Sequence, residues 1–435
     1  MAASNLAGPG AGLTNLKLKY FAAAVLDSLP YIRLSRSYFK DDVKGKKAGM
    51  TYKFYVPDPG IAEAGTADLN VAGMNGDVWE LPVSITLVEG KTKVNLNDWN
   101  KLTAIEDFVR DIAEPHGRTL GASIEKKIIE QNVFRADSAI VDKSGTPSTK
   151  VFALLAGKLR AIRAAGTKVG FAHPDVFAAL GDALLGKFLP SEVMKKIYGD
   201  TVIAHAFGSE WIEENYMPFV TFAGTETITA VNFSTGVVTG TGLFNGLPFT
   251  VTGGDGNKVK TVDLNGIQTN EDFVFIVTDV NAAGTSGKLQ IDAEALRFMN
   301  GPTSDTVATI KDYSNPTIGY KRYASDGTDY LGTLGSSSGN FSVTMLFNAD
   351  GVTSNAAGTY AIVQVRDRDA LEFDSYEFPD VEGAKNGKMK AAEINVQTAE
   401  QGNIADRTSI MRVDVPYMAK LVLTKLARVA YIKVA

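Results

Sequence analysis

The chain has 435 residues, with 44 Lys plus Arg against 49 Asp plus Glu and a formal net charge of −5. That length holds about two to four domains with large cores. The near-neutral charge excludes a chain built chiefly as a basic coat for nucleic acid. The absence of cysteine removes disulfides, thiolate metal sites and cysteine nucleophiles, and fits a reducing compartment. Met1 to Gly12 has no basic n-region and no apolar h-region. The apolar run Tyr20 to Leu26 is far below the ~20 residues that span a bilayer, so a soluble protein made in the cytoplasm is expected. With 42 Gly and three His, the composition points to a β-rich chain with many turns and makes a metalloenzyme or nucleophilic hydrolase a poor expectation.

In chain order, Leu13, Leu16, Phe21, Val25 and Leu29 predict a short amphipathic helix over 13–29, ended by Pro30. Residues 17–53 carry nine Lys/Arg against three Asp/Glu, read as a solvated basic face rather than a contact for something acidic. Tyr52, Phe54 and Val56 alternate with Lys53 and Tyr55, and Trp79 to Val88 alternates in the same way, so both read as strands. Between them, residues 57–77 carry four Gly and no periodicity. A loop of that length is usually functional, and a two-stranded arm cannot bury its own surface, so it is expected to dock on a neighbouring subunit.

Apolar residues at helical spacing from Leu102 to Val133 predict a long one-sided helix that Pro115 kinks or restarts. Residues 150–215 alternate in type. A helix runs through Val151 to Ile162, a strand covers Lys168 to Ala172, and His173-Pro174-Asp175 opens a helix. Pro190-Ser191-Glu192 opens another, and Thr201 to Ala206 reads as a strand. Composition shifts near Thr221. Residues 223–310 hold four Lys/Arg against nine Asp/Glu, with short alternating runs between Gly-rich turns, as in a small inserted barrel or sandwich. Residues 311–345 read as a Gly/Ser-rich exposed loop, followed by renewed α+β character, and Ser409 to Ala435 as terminal strands tied into a sheet.

Motifs that would carry chemistry fail. Gly90-Lys91-Thr92 lacks the earlier glycine of a phosphate loop, because that position is Ile85. Gly253, Gly254 and Gly256 lack dinucleotide spacing. Asp279, Asn281 and Gly284 imitate a calcium loop whose twelfth position is Gln290 instead of Glu. His116, His173 and His205 have no metal spacing and read as capping or core residues. Asp367, Asp369, Glu372, Asp374, Glu377, Asp380 and Glu382, interleaved with Arg366 and Arg368, read as surface ion pairs or a contact patch rather than an acid–base site. No catalytic, cofactor or metal residue is assigned.

The order of elements resembles a tailed-phage major capsid (coat) protein of the HK-ninety-seven fold, most like the coat proteins of short-tailed phages that carry an inserted β-barrel domain. The residues that carry the resemblance are VWELPVSITLVEGKTKVNLNDW, GFAHPDVFAAL, the insertion beginning near Thr221, and RVDVPYMAKLVLTKLARVAYIKV. It implies an α+β fold with an N-terminal arm over 1–45, an extended β-hairpin loop over 46–97, and a spine helix with part of the peripheral and axial core over 98–222. It further implies the inserted β-rich domain over 223–310, the axial remainder with a flexible loop over 311–408, and peripheral-domain strands over 409–435. The implied function is self-assembly into the icosahedral shell that encloses phage double-stranded DNA. The implied partners are other copies in hexamers and pentamers, a scaffolding protein and portal during assembly, and the packaged DNA, with no membrane and no cofactor. The implied location is the virion, assembled in the host bacterial cytoplasm. Asp58, Glu63, Asp68 and Asp77 on the extended loop, with Asp255 and Lys258 at an insertion hairpin, are the expected intersubunit contacts. The alternatives are a β-rich tail or bacterial surface structural protein and an enzyme with an unrecognised site.

Overall fold

The two-residue alternation at both ends of the chain becomes strand pairing in the computed structural model. It describes residues 18–25, 29–31, 51–58, 79–86, 88–96, 109–145, 147–162, 164, 166–185, 202–206, 208–232, 235–252, 258, 260–262, 268–291, 342–348, 356–391, 394–403 and 408–434. The strands, in chain order, are β1 (Thr51–Asp58), β2 (Trp79–Thr86), β3 (Val88–Leu96), β4 (Ala139–Asp142), β5 (Lys168–Ala172), β6 (Val202–Ala206), β7 (Ser209–Glu213) and β8 (Phe219–Phe222). There follow β9 (Thr227–Asn232), β10 (Val237–Thr241), β11 (Pro248–Thr252), β12 (Lys260–Val262), β13 (Gln268–Asp272), β14 (Phe275–Thr278), β15 (Ser286–Leu289) and β16 (Ser342–Met345). The last are β17 (Gly358–Asp367), β18 (Leu371–Ser375), β19 (Lys385–Ala391), β20 (Ile394–Asn403), β21 (Thr408–Leu421) and β22 (Ala427–Lys433). The chain divides into two compact units, one of Met1–Tyr52, Ile85–Ile129 and Leu371–Lys420, the other of Lys53–Ser84, Glu130–Ala370 and Leu421–Ala435.

The first unit is a five-stranded sheet ordered β18-β21-β20-β19, with β3 also on β21. The long strand β21 is its spine: β3 runs antiparallel to it from Leu96↔Ser409 to Val88↔Tyr417. At Gly90 on β3 the long helix packs tightly against the strand. A Cβ there would lie 2.6 Å from Ile124 Cδ1, so a side chain would push helix and strand apart. Gly117 does the same for helical residues 18–25, since its Cβ would meet Ala24 Cβ at 2.7 Å. Leu18, Phe21, Ala22 and Val25 are fully buried, as the amphipathic reading of this stretch requires. The buried Glu125 carboxylate accepts the Tyr31 backbone N–H. Pro115 restarts the helix as expected: one π-helical turn, Val109–Ala113, leads into an α-helix over Glu114–Asn132 with Pro115 in its first turn, where no N–H is needed.

The second unit centres on a seven-stranded sheet ordered β4-β22-β17-β5-β7-β6, with β8 also on β17. The pairs β22–β4 and β5–β7 are parallel. β17 is buried from Tyr360 to Asp367, the mark of a central strand covered on both faces. The helix Thr149–Ala161 buries Val151, Phe152, Leu155, Ala156 and Leu159. Phe152 meets Trp211 of β7 edge-on at 4.7 Å. The helix Pro174–Leu185 follows β5 directly, and the His173 Nδ1 accepts the Asp175 N–H at 3.2 Å, the capping role expected of it. Gln364 of β17 is fully buried and donates its amide to the Asn132 and Val133 carbonyls at 3.3 and 3.0 Å, closing the C-terminal end of the long helix.

A second, six-stranded sheet in this unit is ordered β16-β11-β14-β15-β10-β9. Its path is open among the described residues: β16 and β9 lie at opposite ends. β12 and β13 form a separate two-stranded ribbon. The fully buried Gln290 accepts the Ile276 N–H and donates to the Ala136 and Val274 carbonyls, so no buried amide is wasted where this sheet meets the rest of the unit. Phe347 is the hub of an aromatic cluster. It stacks on Phe222 at 4.5 Å and 15° and touches Tyr360 at 4.8 Å, Tyr431 at 5.6 Å and Phe244 at 6.3 Å. The Tyr431 hydroxyl donates to the Gly246 carbonyl at 2.5 Å.

Several expectations need correction. The alternation from Trp79 to Val88 is not one strand. β2 ends at Thr86 and pairs with β1, whereas β3 begins at Val88 and pairs with β21. The end of the 311–345 loop is strand β16, paired with β11 from Thr252↔Ser342 to Phe249↔Met345. The described part of 346–405 is strand with 3-10 turns rather than α+β. Ser409 to Ala435 enters two sheets, through β21 and β22. The arm outside residues 18–25 and 29–31, most of the 57–77 and 311–345 loops and the helix opening at Pro190 lie outside the described residues. No helix among the described residues is long and apolar enough to cross a membrane.

Truncating Phe347 removes the ring that all four other aromatics share. Phe347→Ala is expected to lower stability by about 3–5 kcal/mol, seen as a shifted midpoint in chemical denaturation followed by tyrosine fluorescence. A loss below ~1 kcal/mol would show that the cluster repacks without it.

Candidate functional site

Two charged constellations stand out, and neither follows from a motif. The first lies in the second unit, where Glu271 on β13 reaches residues from three other segments. Lys158 on the helix Thr149–Ala161 lies 2.5 Å from its Oε1, Ser138 donates to the same oxygen, and Arg428 of β22 lies 3.4 Å from Oε2. Arg428 is fully buried, and its Nη1 donates to the Lys425 and Ala427 carbonyls at 2.8 Å. Burial alone would push the Glu271 carboxyl up. The Arg428 and Lys158 charges, with hydrogen bonds from Lys158 and Ser138, outweigh that and hold it below the usual glutamate range. The cluster fastens the β12–β13 ribbon to the core sheet. At the start of the same excursion, the buried Glu226 accepts the Ala223 and Gly224 N–H groups at 2.7 Å each.

The second constellation lies in the first unit, on the face shared by β3 and β21. Arg412 Nε donates to Asp414 Oδ1 at 2.6 Å, and Arg412 Nη2 pairs with Glu89 Oε1. Asp414 and Glu89 thus share one guanidinium. Burial, first, and the adjacent Glu89 carboxylate together outweigh Arg412 and raise Asp414 to about 6. These three residues border a surface pocket of about 340 Å³ whose other walls include Phe378, Asp380, Lys388 and Gln397. Behind the pair, the Tyr376 hydroxyl donates to the Val88 carbonyl at 3.1 Å.

Of the six expected intersubunit residues, two lie among the described residues. Asp58 is the last residue of β1; Glu63, Asp68, Asp77 and Asp255 lie outside the described residues. Lys258 pairs with Asp272 at 3.2 Å, within the β12–β13 region itself. The calcium-like segment is a hairpin turn between β14 and β15: the Asn281 side-chain oxygen accepts the Thr285 and Ser286 N–H groups, and Gly284 takes φ +64°. Gly90-Lys91-Thr92 lies within β3, in line with the rejection of a phosphate loop. The acidic stretch is not one surface patch. Glu372 and Asp374 are buried in β18, whereas Asp380 pairs with Lys388 at 2.9 Å on the surface. Arg366, read as a surface cation, is fully buried with its guanidinium 5.2 Å from the Phe171 ring centre, where a cation–π contact helps hold it. Among the described residues, no group of three or more His, Cys, Asp or Glu is placed to hold a metal ion.

Sequence reasoning missed both constellations; the one signal it carried is that a strand through residues 408–421 sets Arg412 and Asp414, two residues apart, on one face. Nothing in the sequence ties them to Glu89, or Glu271 to Lys158 and Arg428.

No family model matches the sequence, and no curated protein matches it. Solved structures do. The chain is similar to the structure titled as the capsid of Ralstonia phage GP4, with TM-score 0.43 and 7% identity over 92% of this chain and 87% of that one. It is similar to the holo-SrpI encapsulin complex of Synechococcus elongatus, with TM-score 0.42 and 10% identity over 94% and 89% of the two chains. It is similar to the capsid structure of cyanophage P-SCSP1u, with TM-score 0.37 and 10% identity over 92% and 89%.

Glu271→Gln strips the negative charge from beside a fully buried guanidinium. The loss is expected to be about 3 kcal/mol at neutral pH. Because the Glu271 carboxyl is held low, its contribution is fully present above its unfolded value of about 4.3 and fades as pH falls below that. Denaturation midpoints of wild type and variant are therefore expected to converge below pH ~4.

Proposed function

We propose that the chain is a shell-forming structural protein, the major capsid protein of a tailed phage, rather than an enzyme. The observation that carries this reading is the β1–β2 ribbon. Its strands pair only with each other among the described sheets, and residues 59–78 separate them. A two-stranded ribbon is marginal by itself in water, so a second copy of the chain is the natural surface for it. The order of elements supports the reading too: ribbon, long helix, mixed sheet with helices, β-rich excursion, then two long strands that close two sheets.

In this proposal the six expected contact residues act between copies. Asp58, Glu63, Asp68 and Asp77 are the only charged residues in 57–77, so the segment is acidic throughout and complements a basic surface on a neighbour. Asp255 acts at the insertion hairpin, with Lys258 dividing its charge between Asp272 and a neighbour. Many weak contacts of this kind become stable on closure, because each added copy binds at several edges at once. The enclosed double-stranded DNA, hexamers and pentamers, the scaffolding and portal partners, virion location and assembly in the host cytoplasm belong to the same proposal.

The test is negative-stain electron microscopy with sedimentation velocity on the purified chain, alone and co-produced with the scaffolding protein encoded beside it. Closed shells, tubes or capsomer rings are expected. A single small species even with the scaffold overturns the reading. Reversing Asp58, Glu63, Asp68 and Asp77 together to Lys is expected to abolish closed shells at an unchanged melting temperature. Shells formed in normal yield by that variant remove the ribbon from the assembly interface.

A further inference from the structure

The constellation on β3 and β21 has the geometry of a proton-sensitive clasp. Two carboxyls, Glu89 and Asp414, flank one guanidinium, with 16% and 9% of their side chains exposed. Both border an open pocket of about 340 Å³, so the pair is desolvated but still reached by water and protons. Arg412 is the one cation hydrogen-bonded to the pair, and the second cation beside it, Lys91, stands at the solvent-exposed rim. On β21 the neighbour is Arg412. On β3, Lys91 stands directly opposite Asp414 in the ladder and lies 3.9 Å from Glu89, but 64% of its side chain is exposed and water screens its charge; Lys93 stands opposite Arg412, also exposed. On β20, Gln397 stands opposite Asp414 and is uncharged. Across the pocket Lys388 of β19 is engaged by Asp380, and Tyr376 faces Glu89 as a neutral phenol. One guanidinium, with an exposed lysine at the rim, therefore serves a buried carboxyl and a half-buried one.

We propose that Glu89, Arg412 and Asp414 form a proton-operated clasp between β3 and β21, closed while one proton is held on the carboxyl pair and loosened when that proton leaves. In the closed form a carboxylic acid donates to the neighbouring carboxylate while Arg412 neutralises the remaining charge. In the loosened form two carboxylates face each other across one guanidinium, and the ladder from Val88↔Tyr417 to Leu96↔Ser409 opens more often. The direction follows from the raised Asp414 carboxyl. Its folded value of about 6 lies above its unfolded value. The stability that the proton confers is therefore complete below about pH 4 and is lost as pH rises through 6. The clasp acts within one copy of the chain, so it stands or falls apart from the shell-forming reading.

The experiment is hydrogen exchange on the unassembled full-length chain, with protection factors for β3 and β21 corrected for intrinsic exchange between pH 5.0 and 7.5. In wild type, protection along this ladder is expected to fall about tenfold across that range, after allowance for solvent reaching the pair through the pocket. β17 and β22 serve as the reference and are expected to stay constant. Asp414→Asn keeps the shape and one donor but cannot titrate, and is expected to be protected equally at both pH values. Glu89→Gln removes the partner carboxylate, so the fall is expected to shrink and move to lower pH. A pH-independent wild-type ladder overturns the proposal, as does a wild-type pH profile in Asp414→Asn. Should Asp414→Asn fail to fold, the carboxyl carbon shift of Asp414 in wild type and in Glu89→Gln decides. Titration near pH 6 that drops in Glu89→Gln supports the clasp, and an ordinary aspartate titration in both overturns it.

Discussion

Phe347 lies in the 3-10 turn directly after β16, the strand that ends the six-stranded sheet, and its ring enters a cluster made by Phe222 of β8, Tyr360 of β17 and Tyr431 of β22. Three strands of the core sheet are thus read by one side chain that belongs to the other sheet. Dispersion and apolar burial are non-directional, but the stacked and edge-on geometries here fix the orientation of the contact as well as its existence. The Tyr431 hydroxyl adds one directional element, since its hydrogen bond to the Gly246 carbonyl ties the middle of β22 to the turn before β11. Gly246 has φ +96°, and a Cβ there would lie 2.4 Å from the Phe134 ring, so the turn is pressed flat against the core.

Buried polar groups supply the specificity that this apolar contact lacks. Gln364, Gln290 and Asn132 each spend their side-chain amide on backbone groups that secondary structure leaves open. The Asn132 oxygen accepts the Leu421 N–H at 2.6 Å, so the last turn of the long helix and the end of β21 are joined by one residue. An alternative packing would strand these groups without partners, at roughly 1–3 kcal/mol each. The Glu271 cluster works in the same sense but with charge: a fully buried guanidinium on β22 is paired by a carboxylate on β13, so shifting the β12–β13 ribbon would take that charge away from Arg428.

What was legible in the sequence is what local chemistry determines. β5 runs from Lys168 to Ala172 as expected, His173-Pro174-Asp175 opens the next helix, and Pro115 sits in a first helical turn. β10 and β13 were not legible. VVTGT and QTNED carry Gly or polar residues where strand patterns want bulk, and each becomes a strand because a partner is there to pair with it. The break between β2 and β3 is marked by a change of phase, since apolar residues hold the odd positions up to Leu87 and the even ones, Val88 and Val94, after it, but a run read only as far as Val88 does not reach that change. Arg366 was misplaced because RDRDALEFD reads as a charged surface until Phe171 is known to lie under the guanidinium. The charged constellations were out of reach because their members are gathered from distant parts of the chain.

One connection carries a kinetic consequence. β21 and β22 are separated by a single short turn, Thr424–Leu426, yet β21 is the spine of one sheet and β22 lies inside another, between β4 and β17. Ala430 pairs with Ile140, and Met411 with Val94, so strands made early find partners only when this late segment arrives. Until then β4 and β3 present unpaired edges, and the apolar faces of both sheets stay open to solvent and to other nascent chains. Closing such long loops is entropically slow. The chain is therefore most adhesive while residues 408–433 are still unpaired, and crowding at that stage competes with their docking on β3, β4 and β17.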